Sequence, residues 1–187
     1  MLKYALLGFL SYQPMTGYEL ENHFRSSAAH FWHTRLSQIY MTLRDLETDG
    51  WVVSTVEAQE KRPDRRVYEL TTAGKEALHV WLAEPLTERS LVKDTLLLKL
   101  FFSAAAGKRA ILKQLHIQRD LHRAQLKLYQ EDAHALAQQQ VAIQPALARD
   151  ALLWESVRDF GTKFEHLYVE WLEETIQKIE SEFPETS

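Results

Sequence analysis

The chain has 187 residues, of which 45% are hydrophobic and 26% charged, the composition of an ordinary globular protein with one or two domains. It contains no cysteine, which excludes disulfide bonds, thiol catalysis and zinc sites built from cysteine. The net charge is −4 at pH 7 and no stretch approaches the ~18 apolar residues of a membrane span, so we expect a cytoplasmic protein whose basic sites are local.

The N-terminal segment predicts two short helices. Residues Leu2 to Leu10 are mostly apolar, and Pro14 stops the helix from continuing because proline disfavours a helical conformation in its predecessor. Thr16 precedes Glu19 by three residues, the capping-box spacing in which each side chain binds the backbone N–H of the other residue. We therefore expect the second helix to begin directly after Thr16.

A third helix is predicted to begin near Thr34 or Arg35 and to end just before Gly50. Arginine has no acceptor group with which to cap a helix, so Thr34 is the expected N-cap. Glycine suits the left-handed backbone that often ends a helix, which places the C-terminus at Gly50. The apolar residues recur at spacings of three and four, and this puts one buried stripe on the helix: Leu36, Ile39, Leu43 and Leu46.

A β-hairpin with a basic connector follows the third helix. Residues Trp51 to Val56 and Val67 to Leu70 are rich in β-branched and aromatic side chains, and Pro63-Asp64 between them marks a turn. Thr71 or Thr72 then caps a fourth helix, which Pro85 stops. The connector carries four basic residues against one acid, a density that no other stretch reaches: Lys61, Arg62, Arg65 and Arg66.

Three helices followed by a hairpin with a basic tip is the order of a winged helix-turn-helix, whose third helix enters the major groove of DNA. The four basic wing residues would lie along the backbone or in the adjacent minor groove. Tyr40 lies beside the buried stripe and is either a core residue or a phosphate contact. The other candidates on the third helix carry exposed polar or flexible groups: Arg35, Ser37, Gln38, Met41 and Arg44.

The C-terminal half predicts helices only. A short amphipathic segment from Lys93 to Ala106 precedes a helix from Lys108 to about Val141 and another from Ala146 to Phe183. The last helix has a heptad-like seam that needs a partner surface, and a symmetric dimer provides one. The fold class is therefore mainly α, with a winged helix-turn-helix domain and two-stranded wing over 1–85 and a helical dimerisation domain over 86–187. The seam residues are Leu153, Val157, Phe160, Phe164, Leu167 and Trp171.

At several strings the sequence closely resembles the PadR family of bacterial transcriptional regulators. The resemblance is carried by Leu6-Leu7-Gly8-Phe9-Leu10, Met15-Thr16-Gly17-Tyr18-Glu19-Leu20, Phe31-Trp32, Gln38-Ile39-Tyr40, and Lys61 to Tyr68 with Leu70 to Gly74. The region from Val92 to Leu100 and the long helices resemble the branch with a helical C-terminal domain that includes an activator of virulence genes. The resemblance implies a homodimer that binds an inverted-repeat operator, commonly represses, and in some members responds to a small aromatic effector.

The same residues support other classes of function less well. His30 and His33 form an H-x-x-H pair, but no third ligand is near in the sequence, so we expect no metal and no cofactor. The sequence shows no nucleophile–base pair and no phosphate-binding glycine loop, the patterns that would indicate an enzyme. The negative net charge leaves open a protein-interaction module, or an activator that works with a second regulator and binds DNA weakly. The aromatic residues of the C-terminal half form either an effector cavity or the core of a dimer.

Overall fold

The computed structural model describes residues 1–25, 34–58, 64–89, 93–131 and 147–184. These residues are mainly helical, with one small antiparallel sheet. The contacts divide the chain into two compact units, Met1–Ser90 and Leu91–Ser187.

The helices of the first unit follow the predicted order. They are α1 (Leu2–Leu10), α2 (Gly17–His23), α3 (Leu36–Thr48) and α4 (Thr72–Ala83). The capping box at the start of α2 is present, since the Thr16 hydroxyl accepts from the Glu19 N–H at 3.2 Å and Glu19 accepts from the Thr16 N–H at 2.7 Å. The apolar stripes of these helices meet in one core, in which the most deeply buried side chains are Leu6, Leu7, Leu20, Ile39, Leu43, Leu46 and Val52.

The sheet has three strands where the sequence predicted a two-stranded wing. The hairpin strands β2 (Val52–Glu57) and β3 (Arg65–Leu70) pair antiparallel, and a two-residue strand β1 (Met15–Thr16) pairs with the other edge of β3. A strand of two residues is too short to show the alternation of apolar and polar side chains by which strands are predicted from sequence. This added strand ties the start of α2 to the wing, because Thr16 is both the last residue of β1 and the N-cap of α2.

The second unit is an antiparallel pair of long helices with a short helix packed on them. Its elements are α5 (Thr95–Phe101), a 3-10 turn (Ser103–Ala106), α6 (Lys108–Glu131) and α7 (Ala148–Glu182). The first residue of α6 meets the end of α7, since the Lys108 ammonium donates to the Glu180 carbonyl at 2.8 Å. The buried core shared by α5, α6 and α7 consists of Leu96, Ile111, Leu115, Leu172 and Ile176.

Candidate nucleic-acid interface

Helix α3 is held in place by its buried stripe and by one aromatic ring. Ile39, Leu43 and Leu46 are at most 1% exposed. Beside them, the ring of Tyr40 lies against the backbone of Gly17 at the start of α2, so closely that a Cβ on Gly17 would come within 2.5 Å of it. Tyr40 is nevertheless 39% exposed, so it packs on α2 with one side and remains accessible on the other.

The face of α3 opposite the buried stripe is exposed to solvent. At 100° per residue, Ser37, Met41 and Arg44 fall within a narrow arc, with Gln38 and Tyr40 on its flanks. All five are exposed, and Met41 reaches 62%. The structure therefore presents the predicted candidates on α3 as one continuous surface.

The N-terminus of α3 differs from the sequence prediction, which placed the cap at Thr34. The N-cap residue is Arg35, in an extended conformation with φ −107° and ψ 150°. Arg35 cannot accept a hydrogen bond through its side chain, and the local bond instead runs from its backbone N–H to Oε1 of Gln38 at 3.1 Å. Gln38 thus stabilises the start of α3 as well as facing outward.

At the base of the wing, Arg66 is bound to α3. Its Nη2 donates to Glu47 at 2.8 Å and its Nε donates to the Ser54 hydroxyl at 2.8 Å. Ser54 in turn donates to the other oxygen of Glu47 at 2.6 Å, and this bond is the largest cause that holds the pKa of Glu47 below its usual value. The three side chains close a ring that joins β2, β3 and α3.

The neighbouring Arg65 is bound to α2 instead. Successive residues of a strand point to opposite faces, and Arg65 lies 3.3 Å from Glu19 and 3.6 Å from Glu57, its partner across the hairpin. The pKa of Glu19 is lowered first by the Thr16 backbone N–H and further by Arg65. Both arginines at the base of the wing are therefore paired with carboxylates of their own domain.

The other two basic residues of the predicted wing, Lys61 and Arg62, lie outside the described residues, as do Phe31-Trp32 and the His30–His33 pair. The sequence prediction missed the carboxylates Glu47 and Glu57 and identified Glu19 only as a capping residue. No spacing rule links Glu47 to Arg66, because they belong to different elements. The only sequence feature that pointed to these ion pairs was the composition at the base of the wing, where acidic residues adjoin the basic connector.

The seam predicted on the last helix is mostly exposed in the single chain. Helix α7 buries another face, formed by Gly161, Glu165, Val169, Leu172 and Ile176. Trp171 differs from the rest of the seam, since it is half-buried against the core of its own unit. The other five are 38–67% exposed: Leu153, Val157, Phe160, Phe164 and Leu167.

A polar network crosses the second unit near the start of α5. The Tyr168 hydroxyl donates to Asp94, the N-cap of α5, and the Tyr168 ring stacks on His122 with 4.0 Å between centroids. His122 Nδ1 lies 2.5 Å from Glu165, which is only 7% exposed. Burial raises the pKa of Tyr168, and the hydrogen bond to Asp94 raises it further. The network joins α5, α6 and α7.

Within the described residues, no group of three or more potential ligands is arranged to hold a metal ion. None of the described helices is long and apolar enough to cross a membrane.

Three packed helices, a hairpin clamped to the third of them and an exposed polar face on that helix define a winged helix-turn-helix protein. The model of the Transcriptional regulator PadR-like family matches residues 6–80, and that of the Virulence activator alpha C-term matches residues 92–180. The Negative transcriptional regulator PadR of Bacillus subtilis is 30% identical over 97% of this chain and 99% of its own length. The chain therefore belongs to the PadR-like family of transcriptional regulators, as its sequence strings indicated.

Solved structures share the fold over nearly the whole chain. Bacillus subtilis PadR in complex with operator DNA has a TM-score of 0.79 and 28% identity, covering 95% of this chain and 98% of that one. The same protein in complex with p-coumaric acid has a TM-score of 0.72 and 26% identity, covering 96% and 99%. The Vibrio cholerae virulence activator AphA has a TM-score of 0.72 at 23% identity over 97% and 99%, a likeness of fold.

Proposed function

We propose that this regulator is a homodimeric repressor that binds an inverted-repeat operator in the cytoplasm. Helix α3 enters the major groove of each half-site, and the wing with Lys61, Arg62, Arg65 and Arg66 follows the backbone beside it. This proposal rests on one exposed surface at α3, which presents Arg35, Ser37, Gln38, Tyr40, Met41 and Arg44. The operator complex of the 28% identical Bacillus protein supports it.

The dimer is formed through the exposed seam of α7. Five of its apolar side chains are open to solvent in the single chain, and contiguous apolar surface of this kind marks an interaction site. Two DNA-binding units joined in this way gain affinity through effective concentration, which a protein with net charge −4 needs.

The proposal is tested by binding of the purified protein to the DNA upstream of its own gene and of the neighbouring genes. We expect a specific complex with one dimer per inverted repeat that dissociates as salt is raised, since phosphate contacts release counterions. Binding equal to that of unrelated DNA would favour the protein-interaction alternative. Transcription that rises when the operator is occupied would favour an activator. Turnover of a substrate is not part of this function.

The effector is a small aromatic acid. A relative of 26% identity is known in complex with p-coumaric acid, and the aromatic side chains of the C-terminal unit suit such a ligand. We expect p-coumaric acid to release the operator complex and cyclohexanecarboxylic acid, which has the same charge without the aromatic ring, to leave it intact. Equal effects of the two acids would show that charge alone is responsible.

A further inference from the structure

The ring of hydrogen bonds among Glu47, Ser54 and Arg66 has a consequence for DNA recognition. Glu47 lies in the last turn of α3, about 60° around the helix from Arg44, the nearest residue of the exposed arc, on the flank that faces the sheet. Its carboxylate connects α3 to both strands of the wing, through Ser54 on β2 and Arg66 on β3.

Arg66 is poorly placed to serve as an ordinary phosphate-binding cation. Two of its three guanidinium nitrogens already donate within the domain, and the guanidinium lies 5.6 Å from the centre of the Tyr68 ring. The carboxylate of Glu47, 2.8 Å away, offsets its charge. Charge-assisted hydrogen bonds from two nitrogens hold the guanidinium in one orientation, so it is not free to turn toward a phosphate.

We infer that Glu47 is a positioning residue for operator binding: through Arg66 and Ser54 it fixes the angle between the recognition helix and the wing, so that both elements reach the same duplex. This inference rests on the proposed DNA-binding function. It assigns to Arg66 a geometric role in the wing.

Charge and geometry predict opposite effects when Glu47 is neutralised. Loss of a negative charge near DNA strengthens binding if Arg66 is simply a cation held back by its partner. Loss of the clamp weakens binding if the angle of the wing matters. Glu69→Gln is the matched control, because Glu69 is an exposed acid on β3 with no ion pair to any residue that the structure describes.

The experiment measures operator affinity of the full chain as a function of salt for the wild type, Glu47→Gln, Arg66→Gln, the double variant and Glu69→Gln. We expect Glu47→Gln and Arg66→Gln each to weaken binding about fivefold, the worth of one partly exposed ion pair. The double variant should bind no worse than the weaker single one. All should keep the wild-type salt slope, while Glu69→Gln binds as tightly as the wild type or more tightly.

Thermal unfolding in the absence of DNA gives the temperature range in which every variant is fully folded. Affinities are compared only in that range, so weaker binding there reflects the position of the wing and not a loss of folded protein. If Glu47→Gln does not fold, Ser54→Ala removes the bridging hydroxyl and keeps both charges, and it should weaken binding in the same direction. The inference is overturned if Glu47→Gln binds as tightly as Glu69→Gln, or if Arg66→Gln lowers the salt slope by about 0.9, the change expected when one phosphate is no longer neutralised. Wild-type protein without any operator affinity would instead overturn the proposed function.

Discussion

The ring of Tyr40 lies on the backbone of Gly17, where a side chain of any size on Gly17 would collide with it. This contact joins the first residue of α2 to the outward flank of α3. It leaves Tyr40 partly accessible, so packing and DNA contact, which the sequence left as alternatives, are compatible at this residue.

Gly17→Ala should therefore weaken both folding and operator binding. A Cβ within 2.5 Å of the Tyr40 ring displaces that ring from its position on α3, at a cost of about 1 kcal/mol in the free energy of unfolding, the lower end for overpacking because the ring is 39% exposed. Gly8→Ala is the matched control: nothing lies within 4 Å of a Cβ there, and alanine should stabilise α1 by roughly 0.4–1 kcal/mol. Urea unfolding and operator titration measure the two effects. Equal stability of the two variants would show that the contact is unimportant.

Gln38 combines a structural and a recognition role that two substitutions separate. Gln38→Glu keeps an acceptor for the Arg35 N–H, so the free energy of unfolding should stay near that of the wild type. Gln38→Ala removes the acceptor and should cost about 0.5–2 kcal/mol, the usual loss for a helix cap. Both remove the amide donor and should change the preferred operator in a site-selection experiment. An unchanged operator in both variants would exclude base readout by Gln38.

Arg65→Ala should lower operator affinity for all sequences alike. If Arg65 neutralises one phosphate, its removal should reduce the slope of log affinity against log salt by about 0.9. Arg109→Ala removes an exposed positive charge from the C-terminal unit and should leave the slope unchanged. A salt titration of both variants measures this difference. Identical slopes would mean that Arg65 serves only its carboxylate partners Glu19 and Glu57.

Leu167→Glu should convert the dimer into a monomer and weaken operator binding. Leu167 is 66% exposed in the single chain, so a charge there costs little in the monomer but is buried without a partner in a dimer seam. Val80→Glu, at a residue 61% exposed on α4, is the control for an added charge on an exposed apolar position. Sedimentation measures the assembly. A Leu167→Glu protein that stays dimeric would remove the seam from the interface.

Tyr129 should ionise only at high pH. Burial, with a smaller contribution from the nearby Glu165 carboxylate, raises its pKa from 10.0 to about 12. The fold thus favours the neutral phenol, so the contribution of Tyr129 to stability is complete below pH 10 and is lost as the pH rises through about 12. Difference absorbance of tyrosinate follows the titration of the 7 tyrosines. Tyr129→Phe should remove amplitude from the highest pH range; loss from the range near 10 would contradict the shift.

Local patterns were sufficient to predict most elements of this fold. The apolar run ahead of Pro14 predicted α1 with its observed bounds, and the Thr16–Glu19 spacing predicted a capping box that the structure contains. Gly50 was expected to be left-handed and has φ 72°. Each of these depends on residues within a few positions of one another, where side-chain periodicity and backbone preference act directly.

The relationships that shape the candidate interface depend on tertiary contacts. Met15 and Thr16 become a strand only because β3 offers them an edge. The basic wing was evident from composition, yet the register of β2 against β3 decided that Arg66 meets Ser54 and Glu47. The sequence by itself therefore determined the winged helix-turn-helix, the family and the exposed face of α3. Only the tertiary structure decided which charges are paired, because a pair between distant residues exists only where folding brings them together.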